Sequence, residues 1–422
     1  MPSSVPGAGT EPVPVVAHDT VSAASNQLTP VDPDALPGPW RMVLGEPVAV
    51  QVLRTALAND EVAHAWLLLG PKGVGQSELV AALAAALNCP QPVAPDAGCG
   101  TCSTCERIMR GRHSVVETFT PEGANHLVDQ VRSDWIPTAS RTLSEGRRRV
   151  LHIVAADRMN EAAQNAFLKV LEEPPASAVW VLEAEDLGAL LDTVVSRCRT
   201  LTVVPWGMEP LRVRARELGV PPEQQEVVAR AAMGSPARVA DLAEAEVFEA
   251  RWRHLGLIHR LATGGPGEVV PAAKELVAWA KSRVRPLAEK NAEELEQWAE
   301  AYGAAQDARA WPAGVKQRLQ KRHQRLERQE QRRMLDLALD DIASYLRDLL
   351  VVGQHGRRDD VINLDHFSSL ERDVACLPVP AVVSGLRAIV TCRDALDRNG
   401  APELQLERLL MALALPIYAA AA

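Results

Sequence analysis

The strongest constraint in this 422-residue chain is an apolar pentad that runs straight into a glycine-rich loop. Ala65-Trp66-Leu67-Leu68-Leu69 shows no polar alternation, which predicts a strand buried on both faces of a sheet. Gly70-Pro71-Lys72-Gly73-Val74-Gly75-Gln76-Ser77 follows at once, and Ser77 to Leu87 reads as a helix. Strand, glycine turn and helix in that order predict an α/β layered fold around a parallel sheet. The alternation continues. Val150 to Ala155 reads as a second buried strand, entered through Arg147-Arg148-Arg149. Asn160 can cap the next helix, whose Ala163, Ala166, Phe167, Val170 and Leu171 form one apolar stripe. Pro174-Pro175 stops that helix. Val179 to Leu182 and Leu201 to Val204 complete the predicted strands.

The segments around this core differ from it. Residues 1–39 hold eight of the 30 prolines, four acids and no lysine or arginine, so a disordered Pro-rich tail is expected, with order from about Trp40. Val48 to Leu57 carries helical spacing. After Pro205 the strand pattern stops. Residues 208–244 read as three short helices punctuated by Val220-Pro221-Pro222 and Gly234-Ser235-Pro236. From about 245 onward only helix is predicted, with long amphipathic runs at 268–302, 313–352 and 379–397. The expected organisation is a tail over 1–39, an α/β domain over 40–205, a small helical domain over 206–244 and an all-helical domain over 245–422.

The loop has the shape of a phosphate cradle but lacks its cation. The pattern that binds nucleotide phosphates is G-x-x-x-x-G-K-[ST], with backbone N–H groups and a helix N-terminus turned to the phosphate and a lysine reaching further. Here Gln76 stands where the lysine belongs, flanked by Gly70, Gly73, Gly75 and Ser77, and Lys72 sits elsewhere in the loop. The strand that should end in magnesium-holding and water-activating acids ends in Val154 and Ala155. Asp157, two residues on, is the alternative acid. Two independent losses predict no hydrolysis. They leave open a structural turn or nucleotide binding without turnover.

Four of the seven cysteines fall within 17 positions: Cys89, Cys99, Cys102 and Cys105, a C-x9-C-x2-C-x2-C run. Four thiolates at such spacing close a tetrahedral shell around one structural zinc. An iron–sulfur cluster would expect its fourth cysteine after Cys105 followed by proline, but Met109 and Arg110 stand there. Plain buried thiols are the remaining alternative, and the reading for Cys198, Cys376 and Cys392.

Net charge is −9, which argues against binding nucleic acid through general basicity. Lys316 to Arg333 is a local exception, with eight basic residues and two acids in 18 positions. It reads either as a contact for DNA phosphates or an acidic partner, or as a solvated helix face. No uninterrupted apolar stretch reaches about 18 residues, and the start MPSSVPGAGTEP lacks a basic-then-apolar leader, so a cytoplasmic protein is expected.

These residues together resemble the delta prime family of bacterial DNA polymerase III clamp-loader subunits. The resemblance rests on His64-Ala65-Trp66, the degenerate loop, the four-cysteine insert at 89–105, the run Asn165 to Pro175 (NAFLKVLEEPP) and Ser196-Arg197-Cys198. It is densest over 40–205 and weaker beyond, where Asn399 and the run Leu404 to Leu410 carry it. It implies an AAA+ module, a lid and a helical collar that closes a five-subunit ring with gamma/tau and delta. It further implies a non-hydrolysing ring stator that helps load the sliding clamp at primed DNA, with the neighbouring subunits supplying ATP turnover. Arg197 is then an arginine finger acting in trans on a neighbour's ATP, a task suited to a permanently charged, forked guanidinium. Arg238 falls where AAA+ lids carry a nucleotide-sensing arginine, with packing as its alternative role. Asp192 departs from a proline usual in the family. The competing reading is an active gamma/tau-type ATPase motor of the same machine, and Gln76, Val154 and Ala155 separate the two.

Overall fold

The structure, a computed structural model, describes residues 36–121, 123–303, 310–375 and 377–421. The tail expected over 1–39 therefore falls mostly outside the described residues. Its last part is packed: Leu36 is buried and a 3-10 turn runs Gly38–Val43. The buried Trp40 anchors that turn, its indole N–H donating to the Asp96 carbonyl at 2.8 Å.

Five parallel strands form one sheet: β1 (Ala65–Leu69), β2 (Val116–Phe119), β3 (Arg149–Ile153), β4 (Ala178–Ala184) and β5 (Arg199–Thr202). Their spatial order is β2-β3-β4-β1-β5. The central strand β1 pairs with β4 on one side and β5 on the other, aligning Leu67 with Leu182 and with Thr200. Successive side chains of a strand point to opposite faces, and the core divides accordingly. Trp66, Leu68, Val150, Val179 and Val181 enter one apolar cluster, while Ala65, Leu67, Leu151, Ile153, Trp180 and Leu182 enter another.

Helices cover both faces. The first cluster takes α1 (Pro47–Ala58) and α2 (Gln76–Asn88), followed by α3 (Ser103–Met109) of the cysteine insert. The second takes the segment 128–140, in which α4 (Val128–Gln130), a π turn (Val131–Trp135) and α5 (Ile136–Ser140) run together. Against it lies α6 (Glu161–Glu172), capped as predicted by Asn160, whose Oδ1 accepts the Ala163 N–H at 2.8 Å. Trp135, Phe167 and Trp180 meet edge-on there, with ring centroids 5.7 and 4.9 Å apart. The one-turn α7 (Asp192–Val195) leads into β5.

The sequence reading has no strand between Leu69 and Val150, but β2 lies there as the sheet's edge. The predicted second strand stops at Ile153 because Ala155 adopts a left-handed φ of 52°. The last strand lies two residues earlier than expected, at Arg199–Thr202.

Beyond the sheet, α8 (Met208–Glu217), α9 (Pro222–Ala231) and α10 (Pro236–Leu242) are the three predicted short helices. Their Leu211, Ala215, Val228, Val239 and Leu242 share the cluster of α1 and α2. The final segment holds α11 (Ala245–Gly264), α12 (Val269–Ala301), α13 (Val315–Gly353), α14 (Phe367–Val374), α15 (Val379–Asp397) and α16 (Pro402–Ala421) around an apolar cluster of their own. Among the described residues no helix is long and apolar enough to cross a membrane.

Candidate functional site

The glycine loop joins β1 to α2, and it is closed on itself. Gly73 and Gly75 take φ of 79° and 114°, open to glycine and strained for other residues. Gln76 is only 2% exposed. Its Oε1 accepts the Val74 N–H at 3.0 Å and its Nε2 donates to the Pro71 carbonyl at 2.5 Å. The side chain in the lysine position thus takes a loop N–H for itself and brings no charge. The second helical segment presses on the same loop. Ser235 Oγ donates to the Gly73 carbonyl at 2.7 Å and accepts the Arg238 N–H at 3.1 Å. The buried Trp206 indole lies against Gly75, where an added β-carbon would sit 3.1 Å from its ring nitrogen. Ser77 and Lys72 are exposed, and Lys72 Nζ lies 3.7 Å from Asp336 of α13.

At the end of β3 the two positions that follow the strand hold Val154 and Ala155. Val154 continues the β2 pairing through its N–H to the Phe119 carbonyl at 3.0 Å, and its own carbonyl lies 2.8 Å from His126 Nε2. Asp157, the alternative acid, spends one oxygen on structure. Its Oδ2 accepts the N–H groups of Glu185 and Asp186 at 3.0 and 3.2 Å, tying the turn after β3 to the end of β4.

Arg197 lies between α7 and β5. Its Nη1 donates to the Thr193 carbonyl at 2.8 Å and its Nη2 to Glu172 Oε1 at 2.7 Å, at the end of α6. The adjacent Cys198 is half-buried, and burial pushes its thiol up to about 12, so it is no nucleophile at neutral pH.

Cys89, Cys99, Cys102 and Cys105 converge, with all four sulfurs within 4.8 Å of one another. The Cys89–Cys102 and Cys99–Cys105 sulfurs are 4.0 Å apart. Four sulfurs about 2.3 Å from one tetrahedral ion would be roughly 3.8 Å apart, so the set fits a metal ion. Backbone N–H groups also point at the sulfurs: Cys99 to Cys89 at 3.3 Å, Cys102 to Cys99 at 3.3 Å and Cys105 to Cys102 at 3.4 Å. Such donors favour thiolate. The backbone of Thr101 above all, and that of Cys102, bring the Cys99 thiol down to about 6, while burial pushes Cys89 and Cys105 up. Arg147 ties the insert to β3, its Nη2 donating to the Cys89 carbonyl at 2.6 Å. Of the isolated cysteines, Cys392 is buried and Cys376 lies outside the described residues.

Arg238 packs against α13. It is 5% exposed and donates through Nη1 to Asp340 at 2.7 Å, through Nη2 to Asp341 at 2.5 Å and through Nε to the Ala231 carbonyl at 2.7 Å. Its guanidinium is spent on α13. Sequence reasoning missed these carboxylates, along with Trp206, Ser235 and Glu172, as parts of the site. Only the Gly234-Ser235-Pro236 turn offered a signal.

A parallel sheet ordered β5-β1-β4-β3-β2, a phosphate-type loop after its central strand and three helices laid over that loop define an AAA+ module with its lid. Residues 45–206 match the family described as DNA polymerase III, delta subunit. Over 178 residues the chain is 38% identical to DNA polymerase III subunit delta' of Pseudomonas aeruginosa, an alignment covering 41% of this chain and 54% of that one. It is 31% identical over 184 residues to the delta' subunit of Bacillus subtilis, covering 44% and 55%. A solved DNA polymerase III gamma subunit-related protein of Thermotoga maritima aligns at 15% identity and a TM-score of 0.36, over 87% of this chain and 99% of that one. The similarity to these delta' subunits is confined to about two fifths of the chain, as is the match to the DNA polymerase III delta subunit family over residues 45–206. The chain spans about half the length of the curated relatives it matches.

Proposed function

We propose that this chain is a non-hydrolysing delta prime subunit of the DNA polymerase III clamp loader, a cytoplasmic ring stator in DNA replication. The observation that carries the reading is Gln76, uncharged and folded back onto Val74 and Pro71 where an ATPase holds its phosphate-binding lysine. The Val154-Ala155 end of β3 and the structural use of Asp157 support it further. Its partners in this reading are gamma/tau and delta in a five-subunit ring, with the sliding clamp and primed DNA met through the complex. The working units are the AAA+ domain over 40–205, the lid over 206–244 and the collar over 245–422.

Arg197 supplies the chemistry in trans. Its guanidinium is exposed enough to exchange Glu172 for the γ-phosphate oxygens of a neighbour's ATP, where charge develops during transfer. Cys89, Cys99, Cys102 and Cys105 hold one structural zinc, which fixes the insert against α2 and β3 and leaves no open coordination position. Steady-state ATPase of the purified chain tests the reading: turnover matching a motor subunit would overturn it in favour of a gamma/tau-type role.

A further inference from the structure

The collar meets the AAA+ domain directly as well as through the lid, and it does so along one edge of the sheet. Parallel α/β sheets bind their ligands outside the carboxyl ends of their strands. Three of those ends are taken here by the collar. After β1, Lys72 Nζ lies 3.7 Å from Asp336 of α13. After β2, Thr120 Oγ1 accepts from Gln329 Nε2 of α13 at 2.9 Å, and the Pro121 carbonyl lies 3.4 Å from the same nitrogen. After β3, Arg158 pairs with Asp397 of α15, which Arg332 of α13 also reaches.

On α13 the contact is a single stripe. Gln329, Arg332, Asp336 and Asp340 fall within an arc of about 80° at 100° per residue, over a length of about 16 Å. None of the four is apolar, and all are half-buried, so water reaches the contact. The apolar clusters divide in the same way. The collar's cluster begins at Leu255, and no described residue of α12 to α16 enters the two clusters of the sheet. At the far end of the stripe the contact changes character. There the buried Arg238 of the lid holds Asp340 and the buried Asp341, which also takes His254.

One end of the stripe is therefore buried and firm, and the other is wet and held only by charge. Partly exposed ion pairs contribute little each and weaken in salt, so the second end can release while the first stays as a pivot. We propose that α13 and α15 form an autoinhibitory strap over the carboxyl edge of the sheet, anchored at Arg238 and Asp341 and releasable at Gln329, Asp336 and Asp397. With the strap down, Asp336 and Asp397 neutralise Lys72 and Arg158, the cations that an anionic ligand of this edge would meet. Lifting it frees Lys72, Thr120 and Arg158 together. The strap depends neither on the non-hydrolysing role nor on Arg197.

Benzoylphenylalanine in place of Gln329, in the full chain, reports the strap. On irradiation it should crosslink within one chain to the peptide that contains Thr120 and Pro121, as read by mass spectrometry. Raising salt from about 0.1 to about 1 M shortens the screening length from about 10 to about 3 Å and should lower the yield several-fold. Asp397→Arg sets a third cation beside Arg158 and Arg332 and should lower the yield comparably at the lower salt. Adding Arg158→Glu to Asp397→Arg places one acid between two cations and should restore it. Circular dichroism checks that the variants fold, and the salt series needs no charge variant. No crosslink to that peptide, or a yield indifferent to both salt and Asp397→Arg, would overturn the inference. So would a failure of the double variant to restore the yield, or a crosslink that joins two chains.

Discussion

Arg197 donates to Glu172 Oε1 at 2.7 Å, so the side chain proposed to act on a neighbour's ATP is held within its own subunit by a carboxylate of α6. Both side chains are partly exposed, and exposed pairs of this kind contribute only about 0–1 kcal/mol. The restraint is weak enough to be exchanged for a phosphate. Glu172→Ala should therefore change the stability of the isolated chain by less than about 1 kcal/mol in urea unfolding. In the reconstituted complex, Arg197→Ala should lower DNA-stimulated ATPase by orders of magnitude, about 10³-fold if it acts as other arginine fingers do. Unchanged turnover of the complex would refute the trans role.

Gln76→Lys should not create an ATPase. The acids at the end of β3 are still absent, and Asp157 still serves the Glu185 and Asp186 N–H groups. The substitution also strands the Val74 N–H and puts an ammonium into a buried position. It should cost on the order of 1–3 kcal/mol, read as a lowered melting temperature. Turnover above background in a phosphate-release assay would show that the loop's lysine was the only missing part.

Purified protein should contain about one zinc per chain by elemental analysis, and Cys102→Ala should lose it. Ligand thiols must be deprotonated, so affinity falls as pH falls. Zinc should be released on acidification, together with loss of the insert's protection from proteolysis. Well-folded, metal-free protein at neutral pH would rule the site out.

Arg238 and His254 converge on the buried Asp341, His254 Nδ1 lying 2.8 Å from its Oδ2. Burial alone would raise this carboxyl, but the Arg238 guanidinium above all, with the hydrogen bond from His254, outweighs it and holds it below the usual range. Its contribution to stability is accordingly present above the ordinary carboxylate value and is lost as pH falls through the lowered one. Arg238→Ala leaves the carboxylate without its main partner and should cost about 3–5 kcal/mol at pH 7. With that partner gone, Asp341 takes up a proton more readily, so the cost should shrink between pH 7 and pH 4. Urea unfolding of parent and variant at both values measures this; a cost independent of pH would show that packing, not charge, is lost.

The site was legible in the sequence to different depths. β1, α2 and α6 could be read because burial and capping act over a few neighbouring residues, as with Asn160 and Ala163. The cysteine set could be read because C-x2-C spacing brings thiols together whatever surrounds them, and only distant Cys89 needed the fold. The edge strand β2 was missed because Val116, Glu117 and Phe119, half-buried, and the exposed Thr118 carry no clear alternation. The fates of Arg238 and Arg197 were illegible for another reason: Asp341 is 103 positions from Arg238 and Glu172 is 25 from Arg197.

The sequence by itself determined which groups the loop and the end of β3 carry, because Gln76, Val154 and Ala155 bring the atoms they bring whatever packs around them. It also determined the order of the buried strands and the main helices, since periodicity and breakers are local. Only the tertiary structure decided how each surviving group is used. It turned the Gln76 amide inward, set Ser235 and Trp206 over the loop and joined Arg238 to Asp340 and Asp341 of α13. A charged or polar side chain takes whichever partner the packing of distant helices brings within hydrogen-bond reach, and that partner is not written in its own neighbourhood.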